Sequence, residues 1–254
     1  RSTLMRSSAA SVVYKRQYFY QLNDKIEFDT IFSDLLKRRF LDLRKTDAAG
    51  LRDFCAGTEA IFCKPAGLCG GEGIQRLITA DIDDYDALYD RLIKGGQLLI
   101  EEPIRQHPDM NKLCPDSVNT VRIVTLVTAQ GAQMVYALVR MGMGGVCVDN
   151  VSSGGMYAPV NEHGQLYRPA FCDKTGKYYE RHPVTGTEIM GFQIPLFDQA
   201  LELCRTASRR VEAHLKYIGW DVAITADGPV LIEGNAYPSV QIMQTAGLEG
   251  MKRR

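Results

Sequence analysis

The sequence predicts an α+β fold of two lobes. Three observations carry that expectation. The first hundred residues run helix, strand, glycine-rich loop, strand, helix, strand. The stretch after Pro103 is rich in apolar and β-branched runs separated by polar turns, the pattern of antiparallel strands. One amphipathic helix interrupts those strands near position 200, so strands and helices are segregated rather than alternating in βαβ units.

Residues 29–40 are expected to form a short helix, and 47–56 another, with Thr46 or Asp47 as N-cap and Gly57 just past the end. Residues 60–63 are a short strand that runs into a glycine loop at 67–73, and 74–78 are the returning strand. A helix over 83–94 stops at Gly95-Gly96. Gln97-Leu98-Leu99-Ile100-Glu101-Glu102 is a buried-looking strand ended by Pro103. In the second half, 120–128 and 133–141 flank a turn at Ala129-Gln130-Gly131. Residues 156–160 and 165–168 flank a turn at 161–164. Residues 172–194 read as a long polar loop, a length that is unusual in a compact domain and often functional. Phe197, Ala200, Leu201, Cys204, Ala207, Val211, Leu215 and Ile218 recur at helical steps, which predicts a helix from Pro195 to Gly219. A closing hairpin spans 220–225 and 229–234. The expected division is a helical segment or remnant of a preceding domain at 1–45, a smaller lobe at 46–103 and a larger lobe at 104–254.

Composition narrows the function. Hydrophobic residues make up 45% and charged residues 24% of the 254, which fits a globular protein with a substantial core. Thirty basic and thirty acidic residues cancel, so no basic face marks a nucleic-acid partner. No apolar run approaches the roughly 20 residues of a membrane span. The seven cysteines are odd in number and form no Cys-x-x-Cys pair, which favours reduced thiols and a cytoplasmic setting over a disulfide framework. The four histidines show no metal-ligand spacing. Residues 1–17 are basic and acid-free, and they read as the edge of an excerpt rather than as a transit peptide.

Four motifs carry chemistry. In Phe62-Cys63-Lys64-Pro65-Ala66-Gly67-Leu68-Cys69-Gly70-Gly71-Glu72-Gly73-Ile74, a lysine at a strand end precedes a glycine loop. Such a lysine can reach phosphates, and glycine backbone can approach them closely. A Walker A loop places its lysine after the glycines, and a protein kinase places the loop before the lysine strand, so neither fits. A plain hairpin with a glycine turn is the alternative. In the closing hairpin, counting outward from Asp227 with a three-residue loop puts Asp221 opposite Glu233. Their Cβ atoms would be roughly 4.5–5.5 Å apart, and Asn235 would share their face. Two opposed carboxylates and an amide oxygen suit Mg²⁺ carried by a nucleotide, with ordinary surface acids as the alternative. A two-residue loop would separate the acids unless a bulge intervened. Leu98-Leu99-Ile100-Glu101-Glu102 could offer backbone groups to an adenine edge and a carboxylate to ribose hydroxyls, with a plain strand end bearing solvated acids as the alternative. Arg122, inside the apolar strand Thr120-Val121-Arg122-Ile123-Val124, calls for an anion: a phosphate, or a structural acid.

In this order the motifs resemble the ATP-grasp superfamily, most of all its sugar-transfer associated branch, with likeness to the α-L-glutamate ligases. The resemblance runs from Asn23 to Gln241 and is most specific in Gly219-Trp220-Asp221-Val222-Ala223-Ile224-Thr225 and Leu231-Ile232-Glu233-Gly234-Asn235. It implies two lobes with a nucleotide between them, and ATP and Mg²⁺ as cofactors. It implies that Lys25 and Lys64 contact the nucleotide, that Gly70, Gly71 and Gly73 cover its phosphates, and that Glu101 and Glu102 lie at the adenine and ribose hinge. Arg122 would touch phosphate or the reacting acyl group, and Asp221, Glu233 and Asn235 would hold Mg²⁺. Asn150, in Asn150-Val151-Ser152-Ser153-Gly154-Gly155, resembles the Asn-x-x-x-Gly-Gly segment beside the reacting substrate of glutamate ligases. Those ligases carry an arginine two residues earlier, where Val148 stands here; Arg140 is a candidate substitute. ATP-grasp ligases also carry a sizeable preceding domain, and the short stretch ahead of position 46 is expected to be a remnant of it, a replacement for it or a place where it is missing.

The implied activity is ligation. ATP phosphorylates a carboxylate, and an amine or similar nucleophile attacks the acyl phosphate; the branch's association with sugar transfer implies a setting in cell-surface polysaccharide or amino-acid conjugate biosynthesis. The alternatives are an ATP-grasp kinase acting on a sugar or polyol hydroxyl, and a non-enzymatic nucleotide-binding module. The expected partner is a small-molecule or sugar-linked substrate.

Overall fold

A computed structural model describes residues 19–67, 73–145, 154–211 and 214–247. Two antiparallel sheets organise them. The smaller contains β1 (Phe40–Asp42), β2 (Ala60–Lys64), β3 (Gln75–Ile78) and β4 (Leu99–Glu101), in the order β1-β4-β2-β3. Helices α4 (Ala48–Cys55) and α5 (Tyr85–Lys94) cover one face of it. Each begins at an aspartate: Asp47 accepts from Gly50 N at 2.9 Å and Asp84 from Ala87 N at 2.9 Å. Their apolar faces close a core of Leu43, Leu51, Phe54, Ile61, Leu92 and Ile100. Alternation along β2 sends Ile61 and Cys63 into that core and leaves Phe62 and Lys64 on the other face.

The larger sheet has seven strands in the order β11-β10-β5-β6-β7-β8-β9. They are β5 (Val121–Thr128), β6 (Gly131–Met141), β7 (Met156–Val160), β8 (Ala170–Cys172), β9 (Lys177–Tyr179), β10 (Tyr217–Thr225) and β11 (Gly228–Asn235). Its main core packs against α7 (Phe197–Ser208) and the short N-terminal helices α1 (Tyr20–Asn23), α2 (Lys25–Ile31) and α3 (Ser33–Leu36). Two other helices complete the described chain, α6 (Pro108–Asn111) and α8 (Val240–Gly247). Trp220 is fully buried, donates to Thr125 Oγ1 at 3.0 Å and meets Phe32 edge-on. The glycines on either side of this strand register are sites of close approach. A Cβ on Gly219 would lie 2.8 Å from Pro238, and one on Gly234 would lie 2.8 Å from Leu22.

Several elements differ from the sequence expectation. Residues 29–40 do not form one helix. The chain breaks between α2 and α3, and Lys37 then takes a left-handed conformation (φ 50°) that swings it into β1. The smaller sheet therefore begins at Phe40, ahead of position 46. The helix opened by Phe197 ends at Ser208, not at Gly219; Leu215 is buried after it, and Ile218 and Gly219 pair with Thr125 and Val124 in β10. Apolar residues feeding a core at irregular intervals mimic about three more helical turns. Residues 165–168 make single bridges rather than a strand. The 172–194 stretch is no plain loop. It contains β9, buries Ile189 and Ile194, and is pinned by His182, which lies 2.7 Å from Gly142 O and whose Nδ1 accepts from Val184 N and Thr185 N.

Candidate active site

The sheets meet where β4 leads through residues 102–105 to the larger sheet. A cleft of about 660 Å³ opens there. Ala60 and Arg76 line it from the smaller sheet, Glu102 and Ile104 from the connection, and Thr225 and Val230 from the β10–β11 hairpin.

The hairpin brings the two acids together by an unexpected route. Its loop has two residues, because Thr225 pairs with Gly228. That register holds through Val222 and Leu231 and would place Ile232 opposite Asp221. A bulge then skips Ile232, and Asp221 pairs with Glu233. Asn235 pairs with Gly219 further along and lies 3.5 Å from Glu233 through its amide nitrogen.

Arginines surround the pair. Asp221 is fully buried; Arg122 donates from Nε to Oδ1 and from Nη2 to Oδ2, the latter at 2.8 Å, and Arg140 Nη2 donates to the same Oδ2 at 2.7 Å. Arg122 and Arg140 arrive from neighbouring strands, since Asp221 pairs with Arg122 and β5 pairs with β6. Burial pushes the Asp221 carboxyl up, but the two guanidiniums outweigh it and hold it at about 2. Glu233 is driven the other way, by burial and then by the Asp221 charge, so its carboxyl is raised above the usual range. Arg122 Nη2 is 4.0 Å from it, and 32% of its side chain is exposed.

A second charged cluster lies on the smaller sheet. Glu101 is 1% exposed and is held by Lys64 and by Arg38, whose Nε lies 2.7 Å away. Arg38 also donates to Leu231 O, in the hairpin, at 2.7 Å. Burial raises the Glu101 carboxyl, but Arg38 and Lys64 outweigh it and hold it at about 2. Asp29 sits 3.9 Å from Arg38. Burial, and then the Glu101 charge, push its carboxyl up to about 8. Glu102 points away to Arg39, accepting from its backbone N at 2.9 Å and its Nε at 2.6 Å.

The structure thus groups Arg122, Asp221, Glu233 and Asn235, and separately Lys64 and Glu101. Lys25 opens α2 and donates from its backbone to Ala66 O at 2.9 Å, which brings it to the chain that leaves Lys64. Gly73 adopts φ 72°, and its carbonyl accepts from Gln97 at 2.8 Å. Gly70, Gly71 and Asn150 lie outside the described residues. Sequence reasoning missed Asp29, Arg38 and Arg39. The one available signal was the Arg38-Arg39 pair, which alternates across a strand entry.

Residues 4–254 match the profile of a family described as sugar-transfer associated ATP-grasp. This chain belongs to that ATP-grasp family. No curated protein sequence matches it. Among solved structures, the ATP-grasp fold recurs in the ligase PsnB complexed with precursor peptide PsnA2 and AMPPNP, at TM-score 0.53 and 17% identity, over 97% of this chain and 65% of that one. The D-cycloserine synthetase DcsG gives TM-score 0.53 and 14% identity over 89% and 68% of the two chains. An L-amino acid ligase from Bacillus licheniformis gives 0.53 and 13% over 90% and 43%. This ATP-grasp chain thus spans less than two thirds of the PsnB chain. At these identities the likeness shows the fold. Among the described residues no helix is long and apolar enough to cross a membrane.

The donor set can be tested against a metal. Among the described residues no cluster of three His, Cys, Asp or Glu has metal-holding geometry. Mg²⁺ asks for less: one or two carboxylates, with the rest of its shell from phosphates and water. Glu233 and Asn235 of the ATP-grasp chain offer such oxygens from a partly exposed position. Asp221 has both oxygens engaged by arginines, so it could join them as a second carboxylate only by releasing one of those contacts.

Proposed function

We propose that the chain is an ADP-forming carboxylate–amine ligase acting on Mg²⁺-ATP. The observation that carries this reading is the Asp221–Glu233 pair, brought face to face by a bulge and flanked by Arg122 and Arg140. In this reading the smaller lobe is 46–103 with β1 added, the larger lobe is 104–254, and the helices described within 20–36 belong to the segment before them. The nucleotide lies between the lobes; the cleft of about 660 Å³ lies at the Glu102 end, and Lys64, Arg122, Asp221 and Glu233 are not among the residues that line it. The backbone after Glu101 is assigned to the adenine edge and Glu102 to the ribose, which it can reach only by leaving Arg39. The Glu101 side chain is committed to cations and acts through them. Lys64 and Lys25 reach the phosphates, with Gly70, Gly71 and Gly73 covering them.

Mg²⁺ would be held by Glu233 and Asn235 with Asp221, and would supply positive charge to neutralise the phosphates. The chain's own residues then do the following. Asp221 fixes the orientation of two guanidiniums, so their charge is in place before reaction and costs no reorganisation. Arg122 stabilises the phosphoryl group as a substrate carboxylate oxygen attacks the γ-phosphorus and the bond to the β–γ bridging oxygen breaks, releasing ADP. Arg140 and Asn150 are assigned to the acyl substrate. An amine then attacks the acyl carbon, phosphate leaves with the bonding pair, and the amine gives up a proton to yield the amide. The glycine segment excludes the water that would hydrolyse the intermediate. The family's association with sugar transfer favours a uronic acid or a sugar-linked amine as substrate, in cell-surface polysaccharide or conjugate biosynthesis.

The test is a product assay with Mg²⁺-ATP, amino acids and uronic acids as carboxylates, and amino acids and amino sugars as amines. Equal release of ADP and free phosphate that needs both substrates is expected. ADP release with a stable phosphorylated sugar and no free phosphate would overturn ligation in favour of a kinase.

A further inference from the structure

Glu101 is gripped by two cations at different oxygens. Lys64 takes Oε2, and Arg38 places Nε and Nη2 on Oε1. The Arg38 side chain is 5% exposed, that of Lys64 15% and that of Glu101 2%. A buried carboxylate stripped of its last cation is strongly disfavoured, so a lysine that was its sole partner could not leave it. The two-oxygen geometry removes that obstacle, because Lys64 can depart without disturbing the Arg38 contact. We propose that Arg38 is a positioning residue that keeps Glu101 compensated so that Lys64 can leave it for the phosphates of a nucleotide, and that ties this exchange to the hairpin carrying Glu233.

The tie is direct. The remaining nitrogen, Nη1, donates to Leu231 O at 2.7 Å, beside the bulge that sets Glu233 opposite Asp221. One guanidinium therefore joins the lysine of the smaller sheet to the acids of the larger. Asp29 contributes by staying neutral. Its carboxyl is raised by burial and by Glu101, so the cluster holds one anion for two cations near neutral pH. The surplus positive charge is what a phosphate group can claim. The inference rests on the assignment of Lys64 to phosphate made above.

The experiment is calorimetric titration of ADP with Mg²⁺ into wild type, Arg38→Gln, Lys64→Ala, the double variant and Arg38→Lys, each checked for folding by circular dichroism. Lys64→Ala and Arg38→Gln should each weaken binding about tenfold, as loss of one charge-assisted contact does. The double variant should bind no more weakly than Lys64→Ala, because in Arg38→Gln the lysine is already held by Glu101. Arg38→Lys, which keeps the charge, should recover most of the affinity. Full affinity in Arg38→Gln, or losses that multiply in the double variant, would overturn the inference. Full affinity in Lys64→Ala would overturn the phosphate assignment, and the inference with it. Should Arg38→Gln fold poorly, Arg38→Gln/Glu101→Gln removes the stranded charge. It should bind like wild type, and tenfold weaker binding there would count against the exchange.

Discussion

Asp221 and Glu233 face each other across the β10–β11 hairpin because Ile232 is an extra residue in the second strand. A two-residue turn sets one register and the bulge corrects it, so the acids meet although regular pairing would put them on opposite faces. Asp221 then serves two arginines as well as facing Glu233. Its removal should be costly in a way that ordinary acids are not. Asp221→Ala leaves Arg122 and Arg140 without their carboxylate and should destabilise the fold by about 3–5 kcal/mol. Arg122→Ala should cost less, since Arg140 still compensates Asp221. Urea unfolding of both variants measures the difference; equal losses would mean that the two arginines do not share the charge.

Lys64→Ala should weaken Mg²⁺-ATP binding by roughly tenfold to a hundredfold, the range of about 1.5–3 kcal/mol expected of a charge-assisted contact. The fold should survive, because Arg38 still holds Glu101. Nucleotide titration alongside a thermal melt separates the two effects. Unchanged affinity would remove Lys64 from the site.

The Asp29 carboxyl predicts a pH signature in stability. Its folded-state pKa, about 8, lies above the ordinary 3.8, so the folded protein binds more protons than the unfolded chain between those values. The stability tied to that proton is complete below pH 3.8 and is lost as pH rises through about 8. Asp29→Asn mimics the protonated form and should lack this loss. Thermal midpoints from pH 6 to 9.5 should therefore fall more steeply for wild type than for Asp29→Asn. Parallel curves would show that Asp29 ionises normally.

Much of this was legible in the sequence, for physical reasons that differ by element. Asp47 and Asp84 announced their helices because a side-chain cap is a local interaction. The Asp221–Glu233 pairing followed from counting across a short turn, although the count assumed three loop residues where there are two. The Phe197 helix overran because Leu215 and Ile218 feed the same core by other geometry. Arg38 and Asp29 were invisible because their partner Glu101 lies far along the chain, and nothing local to an Arg-Arg pair says which of the two turns inward. His182 was lost in a polar stretch for the same reason, its partner Gly142 belonging to another element.

The measurement closest to the central claim is the coupling between Mg²⁺ and nucleotide. ADP affinity should be titrated with and without Mg²⁺ in wild type and in Glu233→Gln. Mg²⁺ should tighten wild-type ADP binding by about tenfold or more, and ADP should tighten Mg²⁺ by the same factor, as linkage requires. In Glu233→Gln that coupling should collapse while metal-independent ADP binding persists and turnover is lost. Undiminished coupling in Glu233→Gln would contradict the account, because the metal would then be held somewhere other than the face that Asp221, Glu233 and Asn235 share.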